Sequence, residues 1–323
     1  MPPLAKIDEN RLREMYCFEN STQDEIAKDL GVAKRQTIAR RIQKLGLKRA
    51  YQDKDWLIEM NHIQKKNVTQ MAELANCNPH TISEYMKLYE VPLKYFSKYE
   101  YNQDYFEKID DHEKAYWLGF IVADGGLEVS SRENWGNTYR LRIMLSDKDH
   151  THLEKFNQTI KGEIPIKKGI TTLNDKDFGN STITINSKKM VSDLMNLNVL
   201  PNKSGKEVLP IIDNQYNPSL LLGNFDGDGC FSYWRQNGNL KQELSFLGSL
   251  ELMNSINDIL HQDLKISGSI QSEGSLYKLR FTKISDVSTI EKYMYQQNTS
   301  FLSRKQLKFK EWNELRTKQL SFF

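Results

Sequence analysis

Two aspartates and two lysines recur along the chain in a matched arrangement. Asp124 and Asp228 each stand directly before a glycine, 104 residues apart (228 − 124). Lys203 and Lys305 follow their aspartates at nearly equal distances, 79 and 77 residues (203 − 124 and 305 − 228). Two carboxylates held close together repel each other unless a cation lies between them, and such oxygen ligands select Mg²⁺ or Mn²⁺. Because that ion binds phosphate oxygens and activates water while a lysine stabilises negative charge on phosphate, the four residues indicate metal-dependent phosphate chemistry.

Each aspartate lies near the end of a segment with the same pattern of apolar residues and glycine. The segments are AYWLGFIVADGG at 115–126 and SLLLGNFDGDGC at 219–230. Gly119 and Gly223 lack side chains, so two helices that carry them can approach backbone against backbone and bring both aspartates to one end. A single copy is equally compatible with a buried, glycine-containing helix that has a capping aspartate. Two copies, each with its lysine, favour a catalytic centre.

The two segments resemble the LAGLIDADG motif of homing endonucleases, in the form that has both motifs in one chain. The resemblance covers about residues 114–318. It implies two αββαββα halves, whose motif helices form the pseudo-dyad interface and whose sheets form a saddle over the DNA major groove. The implied metal ligands are the carboxylates of Asp124 and Asp228 and the backbone carbonyls of Ala123 and Gly227. The implied basic residues of the active sites are the same two lysines.

The two copies depart from the motif at single positions. The sixth position is Val122 in the first copy but Asp226 in the second. The fourth position of the second copy is Asn224, where an apolar residue is usual. Neither change removes a metal-binding acid. Asn224 is expected either to cost packing at the helix interface or to face away from it.

The elements that must position these residues follow from hydrophobic periodicity. From residue 114 the pattern indicates an apolar helix, alternating strands, a helix, further strands and a helix, and the whole order then repeats. TYRLRIML alternates strictly, with Arg140 and Arg142 on the non-core face. We therefore predict an α+β fold with two pseudo-symmetric αββαββα halves, at 114–212 and at 213–323, the second with a C-terminal helix.

The N-terminal region is predicted to be an all-α arm. Thr22 and Glu25 fit a capping box, and after a glycine the basic helix AKRQTIARRIQKL follows, which is the pattern of a helix-turn-helix. A second, less basic unit has an Asn-Pro cap, and for this unit base contact and structural support both remain open. We divide the region into a first helix-turn-helix at 1–50, a second helix-turn-helix-like unit at 51–95 and a linker at 96–113.

Basic and polar side chains on the arm and on the predicted sheets are the candidate DNA contacts, because lysine and arginine neutralise phosphates while polar side chains reach base edges. In the arm the candidates are Lys34, Arg35, Gln36, Thr37, Arg40 and Arg41. On the sheets the candidates are Arg140, Arg142, Lys167, Lys168, Lys241, Lys278 and Arg280.

Composition limits the class of protein. The 323 residues are enough for two or three domains, and a net charge of only +3 leaves the distribution of charge to indicate a partner. The three cysteines form no CxxC pair or Cys/His cluster, so a disulfide framework and a structural zinc site are not expected. The sequence has no signal-peptide core and no apolar stretch of about 18 residues. We expect a monomeric cytoplasmic protein, nucleoid-associated or phage-encoded, that is neither secreted nor membrane-bound.

The repeated acids and lysines, together with the resemblance to homing endonucleases, imply a site-specific endonuclease that hydrolyses both strands of a long double-stranded DNA target with Mg²⁺ or Mn²⁺. Its gene would belong to an intron-encoded or free-standing mobile element. Two alternatives remain open. One is a catalytically inactive DNA-binding regulator with the same fold, and the other is an RNA maturase that binds intron RNA.

Overall fold

The computed structural model describes residues 7–93, 99–132, 136–173, 175–297 and 300–320. The chain divides into two compact units, Met1–Lys98 and Tyr99–Phe323. None of the described helices is long and apolar enough to cross a membrane.

The first unit is all-α in its described residues. Its helices are α1 (Glu9–Arg13), α2 (Gln23–Asp29), α3 (Arg35–Lys44), α4 (Lys54–Ile58), α5 (Val68–Leu74) and α6 (Pro79–Leu88). Helices α1 and α4 each continue as one π-helical turn, Glu14–Phe18 and Glu59–Ile63. A single 3₁₀ turn, Ala50–Gln52, precedes α4. The predicted boundary between the second arm unit and the linker, at residues 95 and 96, lies outside the described residues.

The six arm helices are two copies of one three-helix unit. Asp8 caps α1 and Asp53 caps α4, 45 residues later (53 − 8). The predicted capping box that begins at Thr22 is formed, and Asn67 begins an equivalent box 45 residues later (67 − 22). The third helices begin at Arg35 and Pro79, 44 residues apart (79 − 35), because the second copy is one residue shorter before this helix. The cores correspond as well, because Leu12, Ile26 and Ile38 occupy the positions of Leu57, Met71 and Ile82 in two separate apolar clusters. The sequence analysis identified the last two helices of each copy but missed the first.

The two arm copies are joined by polar contacts. Asn20 donates its side-chain amide to the carbonyl of Asn76 (3.0 Å), and Asn76 donates in return to the carbonyl of Glu19 (2.6 Å). Arg49 donates to the carbonyl of Ser21 (2.9 Å) from the segment that links the copies. These bonds satisfy backbone carbonyls that no helix bonds internally, so they fix one copy against the other.

The second unit consists of two halves with the same order of elements. The first half has α7 (His112–Asp124), β1 (Gly125–Arg132), β2 (Gly136–Ser146), α8 (His150–Thr159), β3 (Lys167–Leu173), β4 (Lys176–Asn186) and α9 (Lys188–Asn196). The second half has α10 (Asn217–Asp228), β5 (Cys230–Gln236), β6 (Asn239–Gly248), α11 (Leu250–Leu264), β7 (Ser269–Glu273), β8 (Leu276–Phe281) and α12 (Ile284–Tyr295). Helix α13 (Ser303–Leu320) follows, and 3₁₀ turns lie at Asp147–Asp149 and Asn214–Tyr216.

Each half contains one four-stranded antiparallel sheet. The strand orders are β1-β2-β4-β3 and β5-β6-β8-β7, so the two sheets have the same topology. Side chains alternate between a buried and an exposed face of each sheet. In β2, for example, Leu141 and Ile143 are buried, whereas the neighbouring Arg142 and Met144 are exposed. The predicted α+β fold of two αββαββα halves after an all-α arm is therefore confirmed.

Part of the predicted linker belongs to the core of the second unit. Tyr105 and Phe106 are buried, and their rings meet edge to face with centroids 4.9 Å apart. Lys114 lies over the ring of Tyr105, with its ammonium 5.8 Å from the ring centroid. The aromatic residues of this segment therefore anchor the chain just before α7 begins.

Helices α7 and α10 form the seam between the two halves. A side chain at Gly119 would collide with the carbonyl oxygen of Leu220, and one at Gly223 would lie 2.7 Å from the amide nitrogen of Phe120. Asn224 is fully buried at this seam, where the described residues offer its side-chain amide no hydrogen-bond partner. The sequence analysis left its orientation open. The structure buries Asn224 at the interface, and its unsatisfied amide lowers the stability that the contact between the two helices provides.

We expect Gly223→Ala to lower the free energy of unfolding by about 1–3 kcal/mol, because the added methyl group must push two helix backbones apart. The measurement is chemical denaturation followed by tryptophan fluorescence, for which the buried Trp117 in α7 is a probe. Gly126→Ala is the matched control, since the nearest atom to its added Cβ is 3.8 Å away. Equal stability of the two variants would show that the helices are not in close contact.

Candidate active site

The predicted acids meet where α7 and α10 end. Asp124 is the last residue of α7 and Asp228 the last residue of α10. The helices remain close at this end, because a Cβ built on Gly227 would collide with Ala123 and lie 3.4 Å from a carboxylate oxygen of Asp124. The structure therefore brings together the two acids that the motif repeat singled out.

Burial and neighbouring charges change the acidity of both carboxyls. Burial, together with the negative charge of Asp228, raises the pKa of Asp124 to about 6. The pKa of Asp228 is also raised by burial, while the nearby Lys203 opposes that rise and Glu207 adds to it. Two acids that resist ionisation beside each other form a site that a cation would stabilise.

The predicted lysines bind the ends of the motif helices. Lys203 donates from Nζ to the carbonyl of Ala123 (2.6 Å). Lys305 is only 6% exposed and donates to the carbonyls of Phe225 (2.5 Å), Gly229 (2.7 Å) and, more weakly, Gly227 (3.3 Å). A positive charge at a helix C-terminus is stabilised by the unsatisfied carbonyls there. Each lysine therefore has a structural role in its own half.

The charges of the site are balanced across the two halves. Lys305, from the second half, lowers the pKa of Asp124 more than any other charged group does. Lys203, from the first half, is the main group that lowers the pKa of Asp228. Burial in turn lowers the pKa of both ammonium groups, that of Lys305 to about 8. The two aspartates and two lysines thus form one electrostatic cluster around the seam.

The donor set suits a hard divalent cation. Two carboxylates and the carbonyl oxygens of Ala123 and Gly227 lie at the same end of the helix pair, and oxygen ligands of this type favour Mg²⁺ or Mn²⁺. The described residues contain no group of three or more His, Cys, Asp or Glu side chains that could hold a metal ion. An ion bound here would therefore take its remaining ligands from water and a phosphate, as Mg²⁺ does at phosphate-transfer sites. The carbonyls of Ala123 and Gly227 already accept from the lysines, so they would share their second lone pair with the ion.

The first sheet presents basic side chains on its non-core face. Arg142 and Lys167 are exposed there. Arg140 shares this face and forms an ion pair with Glu128 at 2.8 Å. Lys168 directly follows Lys167 in β3, so its side chain projects from the opposite face. Of these two predicted DNA contacts, only Lys167 shares a face with the arginines.

The second sheet has three predicted contacts on one face. Lys241 is exposed. Lys278 is paired with Glu273 at 2.8 Å, and Arg280 donates from Nε to Glu243 at 3.0 Å. A phosphate that approached this face would have to compete with the two glutamates for Lys278 and Arg280.

The predicted arm contacts divide into exposed and paired side chains. The exposed ones are Lys34, Gln36 and Arg40. Arg35 is also exposed but pairs with Asp24 at 3.4 Å, and Arg41 pairs with Glu9 at the start of α1. Thr37 is half-buried. Among the predicted arm contacts, Lys34, Gln36 and Arg40 are therefore the most available to a ligand.

A buried polar network beside the site was not predicted from the sequence. Asp226, noted only as a motif position, is fully buried and accepts a hydrogen bond from the Tyr116 hydroxyl (2.9 Å). Tyr116 also bonds to Nε2 of the buried His152 (2.8 Å). The sequence did contain a sign of this network: an acid and a tyrosine stand at positions of two helices that are otherwise apolar. Polar groups buried at such positions need hydrogen-bond partners in the tertiary structure.

Comparisons with known proteins find similarity in solved structures. No family model matches the chain, and no curated protein matches it. The chain is similar to I-SmaMI bound to an uncleaved DNA target in the presence of calcium ions, at 16% identity and a TM-score of 0.49, covering 66% of this chain and 92% of that one. It is also similar to the LAGLIDADG meganuclease I-AabMI bound to uncleaved DNA, with 14% identity, a TM-score of 0.45 and the same coverage. The LAGLIDADG homing endonuclease I-GzeII in complex with its DNA target matches at 13% identity and a TM-score of 0.45, over 64% of this chain and 91% of that one.

In the metal-free protein, we expect Asp124→Asn to raise the melting temperature, and to raise it more at pH 8 than at pH 5. The pKa of Asp124 is raised from 3.8 to about 6. The folded state therefore holds this proton more tightly than the unfolded chain and loses stability as the pH rises through that interval. Asparagine cannot ionise, so the variant escapes the loss.

Thermal unfolding in EDTA at the two pH values tests this expectation. Asp258→Asn, an exposed aspartate in α11, is the control for removing one negative charge. A pH-independent effect of Asp124→Asn, or an equal effect of the control, would contradict the raised pKa.

Proposed function

We propose that the chain is a LAGLIDADG-type homing endonuclease that hydrolyses both strands of a long double-stranded DNA target with Mg²⁺ or Mn²⁺. The observation that carries the proposal is the meeting of Asp124 and Asp228 at the ends of two tightly packed helices, with Lys203 and Lys305 beside them. Two acids and two lysines in this arrangement match the needs of phosphodiester hydrolysis in both electrostatics and geometry.

Each residue of the site has a part in the reaction. The carboxylates of Asp124 and Asp228, helped by the carbonyls of Ala123 and Gly227, would hold the cation. When bound, that ion would polarise the scissile phosphate and make a bound water more acidic. Because Lys305 has a pKa of about 8, its Nζ can give or take a proton near neutral pH. It and Lys203 would also stabilise the negative charge that develops on phosphate.

The two sheets supply the proposed DNA surface. Arg140, Arg142 and Lys167 share the non-core face of the first sheet, and Lys241, Lys278 and Arg280 share that of the second. Lysine and arginine on such a face neutralise phosphates and reach base edges in the major groove. The all-α arm would bind further DNA through α3, and tethering two binding units in one chain raises their combined affinity.

Selection of cleaved sequences from a randomised duplex pool in Mg²⁺ tests the proposed activity. We expect one long consensus whose two strands are both cut. Enrichment of bound but uncut duplex would instead favour a DNA-binding regulator. Tighter binding to intron RNA than to any duplex would favour an RNA maturase.

We expect Asp124→Asn and Asp228→Asn each to reduce cleavage of the selected target by about 100-fold or more, since each removes a charged metal ligand worth several kcal/mol in the transition state. Binding to the same duplex should remain within about threefold, because sheet and arm contacts supply most of the affinity. Gel-shift and end-labelled cleavage assays measure the two quantities. Asp258→Asn is the control, and full activity in either active-site variant would remove that aspartate from the mechanism.

In the arm, we expect Arg40→Ala to weaken binding about equally for all duplex sequences and to reduce the salt dependence of log K by about one. Arg40 is exposed on α3, as a phosphate contact must be. The corresponding residue of the second arm copy is Glu84, so Glu84→Ala is the matched control and should leave the salt slope unchanged. Binding measured from 50 to 200 mM salt decides the question, and an unchanged slope for Arg40→Ala would place α3 away from DNA.

A further inference from the structure

The buried carboxylate of Asp226 ties the two halves together next to the candidate active site. Its Oδ2 accepts hydrogen bonds from the Tyr116 hydroxyl (2.9 Å) and from the backbone amide of Leu302 (2.7 Å). Because the one proton of Tyr116 is donated to Asp226, the bond between Tyr116 and His152 is donated by Nε2 of the histidine (2.8 Å). A continuous buried network thus runs from α8 and α7 of the first half to α10 and the start of α13 in the second.

Leu302 is the link from Asp226 to the candidate catalytic lysine. The carbonyl of Leu302 accepts the backbone amides of Lys305 (3.0 Å) and Gln306 (3.2 Å), so it forms the first turn of α13. The amide of the same residue is held by Asp226. The carboxylate therefore holds the backbone amide of Leu302, and the carbonyl of the same residue begins the turn from which Lys305 projects toward the carbonyls at the end of α10.

The first half has no equivalent of this arrangement. Between the two motif helices, Val122 of α7 corresponds to Asp226 of α10, and Leu220 of α10 corresponds to Tyr116 of α7. Neither Val122 nor Leu220 has a polar side chain, so this pair cannot form the same hydrogen bond. Leu200, which corresponds to Leu302, is 50% exposed, whereas Leu302 is 3% exposed. Among the described residues, Lys203 donates to a single carbonyl, that of Ala123. The two lysines of the site are thus held by different means and to different degrees.

We propose that Asp226, supported by Tyr116, is a positioning residue that holds Lys305 for the cleavage of one DNA strand, and that the other strand is cut independently of it. This inference rests on the proposed endonuclease function. A buried carboxylate costs folding free energy, and among the described residues only Oδ2 of Asp226 has hydrogen-bond partners while Oδ1 has none. The two bonds to Oδ2 order the turn that presents a catalytic group. Cleavage of one strand therefore depends on Asp226, whereas cleavage of the other strand does not.

The decisive variant is Asp226→Val, which places in the second motif the residue that the first motif already carries at this position. The assay uses supercoiled plasmid with the selected target, and the two strands are followed separately by end labelling. We expect cutting of one strand to slow by about tenfold or more, because small displacements of a catalytic group have large effects on rate. Cutting of the other strand should change by less than about twofold, so nicked circles should accumulate.

Two further variants separate positioning from general damage to the fold. Asp226→Asn can place its side-chain oxygen where Oδ2 now accepts both bonds, so it should restore near wild-type cutting of both strands. Tyr116→Phe removes one of the two donors and should give a weaker bias toward the same strand. Tyr105→Phe is the matched control, because Tyr105 is buried and the described residues give its hydroxyl no partner. It should leave both rates unchanged.

Hydrogen exchange supplies a readout that does not depend on cleavage. In the free protein, the backbone amide of Leu302 should exchange about tenfold faster in Asp226→Val than in the wild type, since the lost bond is worth roughly that factor. Asp226→Asn should retain the protection. If wild-type protein cuts no DNA, the proposed function fails, while this measurement still tests the positioning of the turn.

Three outcomes would overturn the inference. One is equal slowing of both strands in Asp226→Val, which indicates a general loss of stability. Another is unchanged cutting of both strands, and the third is unchanged exchange at Leu302. If Asp226→Val does not fold, the strand bias and the exchange of Tyr116→Phe against Tyr105→Phe decide the question in its place.

Discussion

The close contact of α7 and α10 is the constraint on which the rest of the second unit depends. Gly119 and Gly223 each face the backbone of the opposite helix, where no side chain fits. This approach fixes the relative position of the two halves, and it sets the separation of Asp124 and Asp228 at the helix ends. A wider seam would leave two separate acids in place of one site, because electrostatic interactions weaken quickly with distance.

The charges at the ends of the seam explain why this site costs stability. Burial opposes ionisation of both aspartates and protonation of both lysines, and the opposite charges in the other half offset only part of that cost. The helix-end carbonyls bind the ammonium groups in the free protein. Such a cluster is held in place by the packed core beneath it, which includes Trp117 and Phe225.

Both units contain repeats, and in both the repeats have diverged in charge or polarity. In the arm, Arg40 of the first copy corresponds to Glu84 of the second, so the basic surface of α3 is not reproduced on α6. In the second unit, Val122 of one motif corresponds to Asp226 of the other. The shared backbone geometry comes from capping, glycine contact and strand alternation, which tolerate these changes. The differing positions change the surface charge of the arm and the polar contacts beside the seam, whereas the two aspartates and two lysines of the candidate site are the same in both halves.

The sequence alone determined the candidate site and most of the elements, because local signals encode them: the repeated Gly and Asp spacing, the strand alternation around Arg142, and the capping box at Thr22. The first helix of each arm copy has no such signal and was missed. The sequence did not determine which of Lys167 and Lys168 shares a face with the arginines, since that depends on strand pairing. Nor did it reveal the bond between Asp226 and the amide of Leu302, because residues 76 positions apart (302 − 226) meet only when α13 packs against α10. Long-range contacts of this kind leave no periodic pattern, so only the tertiary structure decided them.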